Sequence, residues 1–188
     1  MRIIAGSLGG RRITAPPGSD TRPTADRVRE ALFNILGPPP ADTRVLDLFA
    51  GSGALSFEAL SRGATSALLV DSSRAAARVA RQNAAALGVL DRVELRLDHA
   101  ETALRRLERD RGGSRFTWVF ADPPYRDGEL AARILRALGA SSLLAPDAIV
   151  VVEHDRRAEP DPTGGFLVKA DGRRYGDTAL SLFRVSMQ

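Results

Sequence analysis

The regular alternation of apolar strands and amphipathic helices constrains the fold of this chain more than any other feature. Strands are predicted at 44–50, 66–71, 92–97, 116–121 and 147–153, and helices at 53–62, 73–87, 99–110 and 128–138. Because a helix lies between each strand and the next, the pattern predicts right-handed βαβ units. Such units build a parallel sheet with helices on both faces.

The N-terminus departs from this alternation. Two short extended segments, 2–5 and 11–14, flank a glycine-rich stretch and predict a hairpin. A helix is then expected to follow Thr24, with apolar side chains at helical spacing. We therefore expect residues 1–23 to form a basic N-terminal extension and residues 24–188 to form the main domain.

The C-terminus also changes character. Segments 166–170 and 178–185 predict two strands joined by a turn around Asp171 and Gly172. Two strands joined by so short a connection run antiparallel. The chain is therefore expected to be an α/β protein, with a mostly parallel sheet completed by an antiparallel C-terminal hairpin.

A glycine turn follows the first strand of the alternating region. Gly51 and Gly53 let the backbone approach a ligand closely, beside the N-terminal amides of the next helix. Many α/β proteins carry such glycines for packing alone, so this turn leaves both interpretations open. Ser56 occupies the place of the third glycine of a dinucleotide fingerprint, which argues against a hydride-transfer cofactor.

Acidic residues end four of the strands, Asp47, Asp71, Asp98 and Asp122. An acid in the position of Asp71 often binds ribose hydroxyls, and Asp98 is placed to accept from an adenine amino group. Both residues also precede helical patterns and could instead cap those helices.

The tetrapeptide Asp122-Pro123-Pro124-Tyr125 follows an apolar strand. Its two prolines hold the backbone in a stiff, extended turn. The turn presents a carboxylate, a proline carbonyl and an aromatic face at one point. Two acceptors beside a flat ring suit an amino group that is attached to a planar ring or an amide.

Composition excludes several kinds of site. The 188 residues include no cysteine and only two histidines, which excludes disulfides, thiolate zinc sites and a cysteine nucleophile. No apolar run is long enough to span a membrane, and no signal-peptide pattern opens the chain. These features favour a cytoplasmic protein.

Positive charge is concentrated at the N-terminus. Residues 1–29 contain six arginines against two aspartates, a net charge of +4 that equals the charge of the whole chain. A basic extension on a neutral body favours contact with a phosphate backbone. The alternative is that these arginines are only solvated and reflect genome composition.

The motifs together resemble those of the S-adenosylmethionine-dependent amino-methyltransferases, through residues 47–55 and 122–125. The chain is more similar still to the bacterial 16S rRNA (guanine(966)-N(2))-methyltransferase family. The segments that carry this closer resemblance are 2–6, 9–13, 21–34 and 175–180. Two departures are visible: Ser56 stands where glycine is expected, and Asp71 stands where many relatives carry glutamate.

The resemblance implies a Rossmann-like class I methyltransferase with a seven-stranded sheet and S-adenosylmethionine as cofactor. The implied cofactor-binding residues are Asp47, Phe49, Ala50, Gly51, Ser52, Gly53, Asp71, Asp98, Arg22 and Thr24. The implied catalytic residues are Asp122 and Pro123, which would accept hydrogen bonds from the guanine amino group, and Tyr125, which would stack on the base. No metal is expected, because the methyl group already sits on a good leaving group.

The expected partner is 16S rRNA, in the small ribosomal subunit or an assembly intermediate. No contact with a membrane is expected, and the protein is expected to be a monomer. The predicted RNA contacts are Arg2, Arg11, Arg12, Arg27, Arg29 and Arg126. Roles for Glu153 and Tyr175 stay open. The alternatives are an amino-methyltransferase acting on DNA adenine or protein glutamine, and a non-catalytic RNA-binding protein of ribosome assembly.

Overall fold

Helices and strands alternate along the chain in the computed structural model, which describes residues 1–16, 23–110, 115–124, 129–162 and 165–186. The helices are α1 (Pro23–Leu36), α2 (Ala54–Ser61), α3 (Arg74–Leu87), α4 (Ala100–Arg109) and α5 (Leu130–Gly139). The strands are β1 (Arg44–Asp47), β2 (Ser66–Asp71), β3 (Val93–Leu97), β4 (Phe116–Ala121), β5 (Leu144–Asp155), β6 (Leu167–Tyr175) and β7 (Thr178–Val185). A short 3₁₀ helix, Leu90–Arg92, precedes β3.

The strands form a seven-stranded sheet in the order β3-β2-β1-β4-β5-β7-β6. Within it, β1 with β2, β2 with β3, and β4 with β5 pair in parallel, whereas β7 is antiparallel to both β5 and β6. The predicted α/β fold, with a mostly parallel sheet and an antiparallel C-terminal hairpin, is therefore confirmed. The chain divides into two compact units, Met1–Asp98 and His99–Gln188, which are described in turn.

In the first unit, the central strand β2 is buried along most of its length, from Ala67 to Val70. A continuous apolar strand of this kind is typical of a parallel sheet that helices cover on both faces. Helix α3 begins where the Ser73 hydroxyl accepts a hydrogen bond from the Ala76 N–H. It ends at Gly88, whose φ of 72° is a left-handed conformation that glycine adopts without strain.

The predicted N-terminal hairpin is present, although its two segments share only one antiparallel bridge, between Arg2 and Arg12. Ile3 of the first segment and Ile13 of the second are both buried. Gly6 lies so close to α2 that a Cβ atom there would be 2.0 Å from the Ser61 carbonyl oxygen. The hairpin is thus packed against the first unit, and the expected division into 1–23 and 24–188 stays a prediction.

In the second unit, all six residues of β4 are buried, as expected of a strand inside a parallel sheet. The predicted position of the C-terminal turn is wrong. The chain reverses at Gly176 and Asp177, and Gly176 has a φ of 63°. Asp171 instead follows an irregularity in β6, where the pairing with β7 shifts after Lys169.

Element ends also differ from expectation. Strand β1 ends at Asp47 because the backbone leaves the sheet to form the glycine turn, and β5 extends beyond the predicted 147–153 at both ends. Within the described ranges, no helix is both long enough and apolar enough to cross a membrane.

Candidate active site

The glycine turn lies between β1 and α2 and uses its two glycines differently. Gly53 has a φ of 81°, and a Cβ atom there would be 2.4 Å from the Phe57 ring, so packing requires glycine at this position. Gly51 has a φ of 53°, and nothing lies within 4 Å of the place where its Cβ would be. The backbone at Gly51 therefore borders open space that a ligand could enter.

Asp71, at the end of β2, fastens this turn to the neighbouring strand. One carboxylate oxygen accepts a 2.8 Å hydrogen bond from the Gly51 N–H, and the other accepts a 2.8 Å bond from the Ser73 N–H. Each carboxylate oxygen has two lone pairs, so this half-buried group retains capacity for hydroxyl donors. The predicted ribose contact is compatible with this geometry.

Asp47 supports the turn from inside the protein. Its carboxyl group is buried and accepts a 2.9 Å hydrogen bond from the Ser56 hydroxyl. Burial raises the pKa of Asp47 from 3.8 to about 7, and the hydrogen bonds from Ser56 and from the Phe49 backbone oppose this shift. The negative charge of Asp71 raises the pKa further. Ser56, which departs from the expected glycine, thus has a defined partner.

The other predicted cofactor residues lie in the same turn or at the adjoining strand ends. Phe49 and Asp98 are half-buried, whereas Ala50 and Ser52 are buried. The Asp98 N–H donates a 3.0 Å hydrogen bond to the Asp71 carbonyl oxygen, which brings these two acidic residues together. Arg22 and the Thr24 side chain lie outside the described residues.

Sequence reasoning missed Asn83, which joins the glycine turn to the N-terminal hairpin. Its buried amide donates to the carbonyl oxygens of Ser52 and Thr14, at 2.9 and 2.8 Å, and accepts a 2.9 Å bond from the Thr14 N–H. The detectable feature was a polar residue on the apolar face of α3, between Val79 and Leu87. A buried polar side chain in that position must find partners.

The proline turn follows β4 in the second unit. Asp122 is exposed, Pro123 is buried and Pro124 is exposed. Ala121, which precedes them, pairs with Val152 of β5. The exposed carboxylate therefore lies at the carboxyl end of a buried parallel strand, where ligands of open α/β sheets bind. Tyr125 and Arg126 lie outside the described residues.

The predicted RNA-contacting arginines separate into two groups. Arg2, Arg12 and Arg27 are exposed. Arg11 is exposed too, but its guanidinium donates to two carbonyl oxygens in the last turn of α3. One belongs to Leu87, at 2.8 Å, and the other belongs to Ala86.

Arg29 differs from the rest because it is only 4% exposed. Its guanidinium donates to the Arg2 carbonyl oxygen at 2.7 Å and pairs with Asp26 at 3.1 Å. A buried guanidinium with these internal partners offers no surface to a phosphate, so the position of Arg29 contradicts the predicted RNA contact.

The sheet order, the reversed β7 and the glycine turn after β1 define a class I methyltransferase fold. A family model described as "Conserved hypothetical protein 95" matches residues 1–184, and the chain belongs to this family. Bacillus subtilis YlbH is 38% identical over 184 residues, 98% of each chain. "Ribosomal RNA small subunit methyltransferase D" of Escherichia coli is 39% identical over 155 residues, covering 82% of this chain and 75% of that one.

A solved structure gives the same result. The protein yhhF from Escherichia coli superposes with a TM-score of 0.83 at 34% identity, covering 100% of this chain and 99% of that one.

Proposed function

We propose that this protein transfers a methyl group from S-adenosylmethionine to the exocyclic N2 amine of a guanine in 16S ribosomal RNA. The family and the relatives named for small-subunit rRNA methylation support the reaction class. The choice of guanine N2 rests on the resemblance in the N-terminal segments. The turn at Asp122 and Pro123 is the observation that carries the proposal.

That turn fits an aromatic amino group as nucleophile. The lone pair of guanine N2 is delocalised into the ring, so the free amine attacks poorly. The exposed Asp122 carboxylate and the Pro123 carbonyl would each accept one N–H of the amine. Two fixed acceptors hold the nitrogen for in-line attack, and positioning of this kind supplies much of a rate enhancement.

The glycine turn fits the cofactor. Backbone at Gly51 borders open space, and Asp71 holds that backbone while retaining lone pairs for ribose hydroxyls. Asp98, beside it, would accept from the adenine amino group. When bound, S-adenosylmethionine supplies a methyl group on a sulfonium leaving group, so the protein residues need only bind, orient and exclude water.

Methyl transfer to two RNA substrates tests the proposal. Unmethylated 30S subunits and free 16S rRNA are incubated with labelled S-adenosylmethionine, and the labelled nucleoside is identified after digestion. We expect N2-methylguanosine, and the better substrate shows when the protein acts during assembly. Label in N6-methyladenosine would overturn the choice of guanine, and unlabelled RNA would overturn the RNA substrate.

Replacing Asp122 tests the catalytic turn. We expect Asp122→Ala to lower kcat by roughly 10²- to 10³-fold, as loss of one positioned polar group does, while S-adenosylmethionine affinity stays unchanged. The matched control is Asp147→Ala, which removes an exposed aspartate from the same unit. Near-normal kcat in the Asp122 variant would remove this residue from the reaction.

A further inference from the structure

A second basic region lies in the C-terminal half of the chain, apart from the glycine turn, the proline turn and the N-terminal arginines. Strands β5, β6 and β7 surround a cavity of about 430 Å³. Its charged lining consists of four cationic side chains and one carboxylate, namely Arg156, Lys169, Arg173, Arg174 and Glu159. Such a surplus of positive charge in a concave site attracts anions.

Buried groups give this cavity a fixed floor. His154 is buried, and its ring nitrogens lie 2.8 Å from the Asp155 carbonyl oxygen and 2.9 Å from the Ser181 hydroxyl. Both His154 and Arg174 pair with Ala179 of β7, so the three residues form one row across the sheet. Directly opposed side chains of antiparallel strands share a face, which places the Arg174 side chain on the same face as His154.

The cationic groups at the rim can exchange partners. Lys169 pairs with Glu159, Arg173 with Asp171, and Arg156 with Asp177 at 3.5 Å. The cationic side chains of these pairs are 40 to 50% exposed, and exposed ion pairs contribute little to stability. An incoming phosphate could therefore replace these carboxylates at small cost.

Arg174 is the most available of the four cations. It is exposed and is in no ion pair within the described ranges. Its charge still acts on the cavity: the pKa of the Glu159 carboxyl is lowered, first by the hydrogen bond from Lys169 and also by the charge of Arg174.

The cavity and the proline turn lie in the same unit and toward the same end of the strands. Ala121 of β4 pairs with Val152, Val152 with Ser181, and Ser181 with Gly172, so one row crosses all four strands. Asp122 comes directly after Ala121, just past the end of β4, and Arg173 and Arg174 come directly after Gly172 on β6. Three strand spacings of about 4.8 Å give roughly 14 Å, the length of about four stacked nucleotides.

We propose that this cavity binds phosphodiester groups of the RNA strand whose guanine enters the turn at Asp122. This inference rests on the proposed function and adds a second RNA-binding region to the N-terminal one. No Phe, Tyr or Trp side chain is among the described residues that line the cavity, and the His154 ring there is buried with both nitrogens hydrogen-bonded, so the chemistry of the cavity fits phosphates rather than a stacked base. Three of the cations lie on β6 and Arg156 lies just past the end of β5, and cations spread in this way suit successive phosphates of a chain better than a single anion.

The test is a salt series of binding to unmethylated 16S rRNA without cofactor. It compares wild type, the double variant Arg156→Ala/Arg174→Ala, and the control Arg109→Ala/Arg136→Ala, which removes two exposed arginines from helices of the same unit. Two lost phosphate contacts should reduce the slope of log affinity against log salt by about 1.4 to 1.8. The control should keep the wild-type slope.

Turnover provides a second measurement. The double variant should raise KM for RNA while kcat and S-adenosylmethionine affinity stay unchanged, because both residues lie away from the reacting groups. Equal salt slopes in the double variant and the control would overturn the cavity proposal, even if wild type methylates guanine. A reduced slope in a protein that methylates no RNA would retain the cavity and overturn the proposed function.

Discussion

Two basic regions of this protein differ in how many of their arginines have partners inside the protein. In the N-terminal region, Arg29 is buried and ion-paired, and Arg11 donates to the end of α3. In the C-terminal cavity, Arg156 and Arg174 are exposed at a concave surface. The difference shows that the number of arginines in a segment does not measure how many can meet a phosphate. Internal hydrogen bonds decide which guanidinium groups stay available.

The reason lies in what each region is packed against. The N-terminal hairpin lies on α2 and α3, where its backbone polar groups lose water and need protein partners. Glu58 supplies two of these: its buried carboxylate accepts from the N–H groups of Ile4 and Ala5, at 2.7 and 3.0 Å. The cavity, in contrast, is bordered by an edge strand whose charged side chains stay in water.

Removal of Glu58 should have the largest effect. Glu58→Ala leaves two backbone N–H groups unpaired and removes a buried partner of Arg62, which lies at 2.8 Å. We expect a loss of about 3 to 5 kcal/mol in the free energy of unfolding, as for other broken buried pairs. Denaturant unfolding measures it. Glu94→Ala, which breaks an exposed pair with Arg96, is the control and should cost at most about 1 kcal/mol.

If the two glutamate variants lose equal stability, the distinction between buried and exposed charges fails.

The next effect depends on pH and comes from Asp47. Because its pKa in the folded protein is raised from 3.8 to about 7, the folded state holds a proton there that the unfolded state has released. Its contribution to stability is complete below pH 3.8 and is lost as the pH rises to about 7. The free energy of unfolding of Asp47→Asn, relative to that of wild type, should therefore rise from pH 5 to pH 8 by on the order of a few kcal/mol.

Denaturant unfolding at both pH values measures this gain, with exposed Asp91→Asn as the matched control. If the free energy of unfolding changes with pH in the same way for wild type and Asp47→Asn, burial does not raise the pKa of this carboxyl group.

The smallest effect separates two neighbouring arginines. Arg11→Ala should lower stability by about 1 kcal/mol, because it loses hydrogen bonds to the last carbonyls of α3. Arg12 is exposed, and Arg12→Ala should leave stability unchanged while reducing the salt slope of RNA binding by about 0.7 to 0.9. Thermal unfolding and the same RNA titration measure both effects. An unchanged slope for Arg12→Ala would remove the hairpin from the RNA interface.

Local sequence patterns determined most of the fold. Strand and helix periodicities depend on neighbours a few residues apart, so the alternation from β1 to β5 could be predicted before any contact was known. The glycine turn and the proline turn could also be predicted, because each consists of consecutive residues. The C-terminal turn was misplaced because Asp171-Gly172 is a strong local hairpin pattern, whereas pairing along the whole of β7 places the reversal at Gly176.

Residue patterns alone were enough to establish the α/β architecture, the acids at the strand ends and the resemblance to a methyltransferase family. Three findings required the folded chain: Arg29 is internal, Asn83 joins the hairpin to the glycine turn, and Arg156 and Arg174 border one cavity. The physical reason is distance along the chain. Burial and convergence arise from contacts between residues far apart in sequence, and no local pattern encodes which of them will meet.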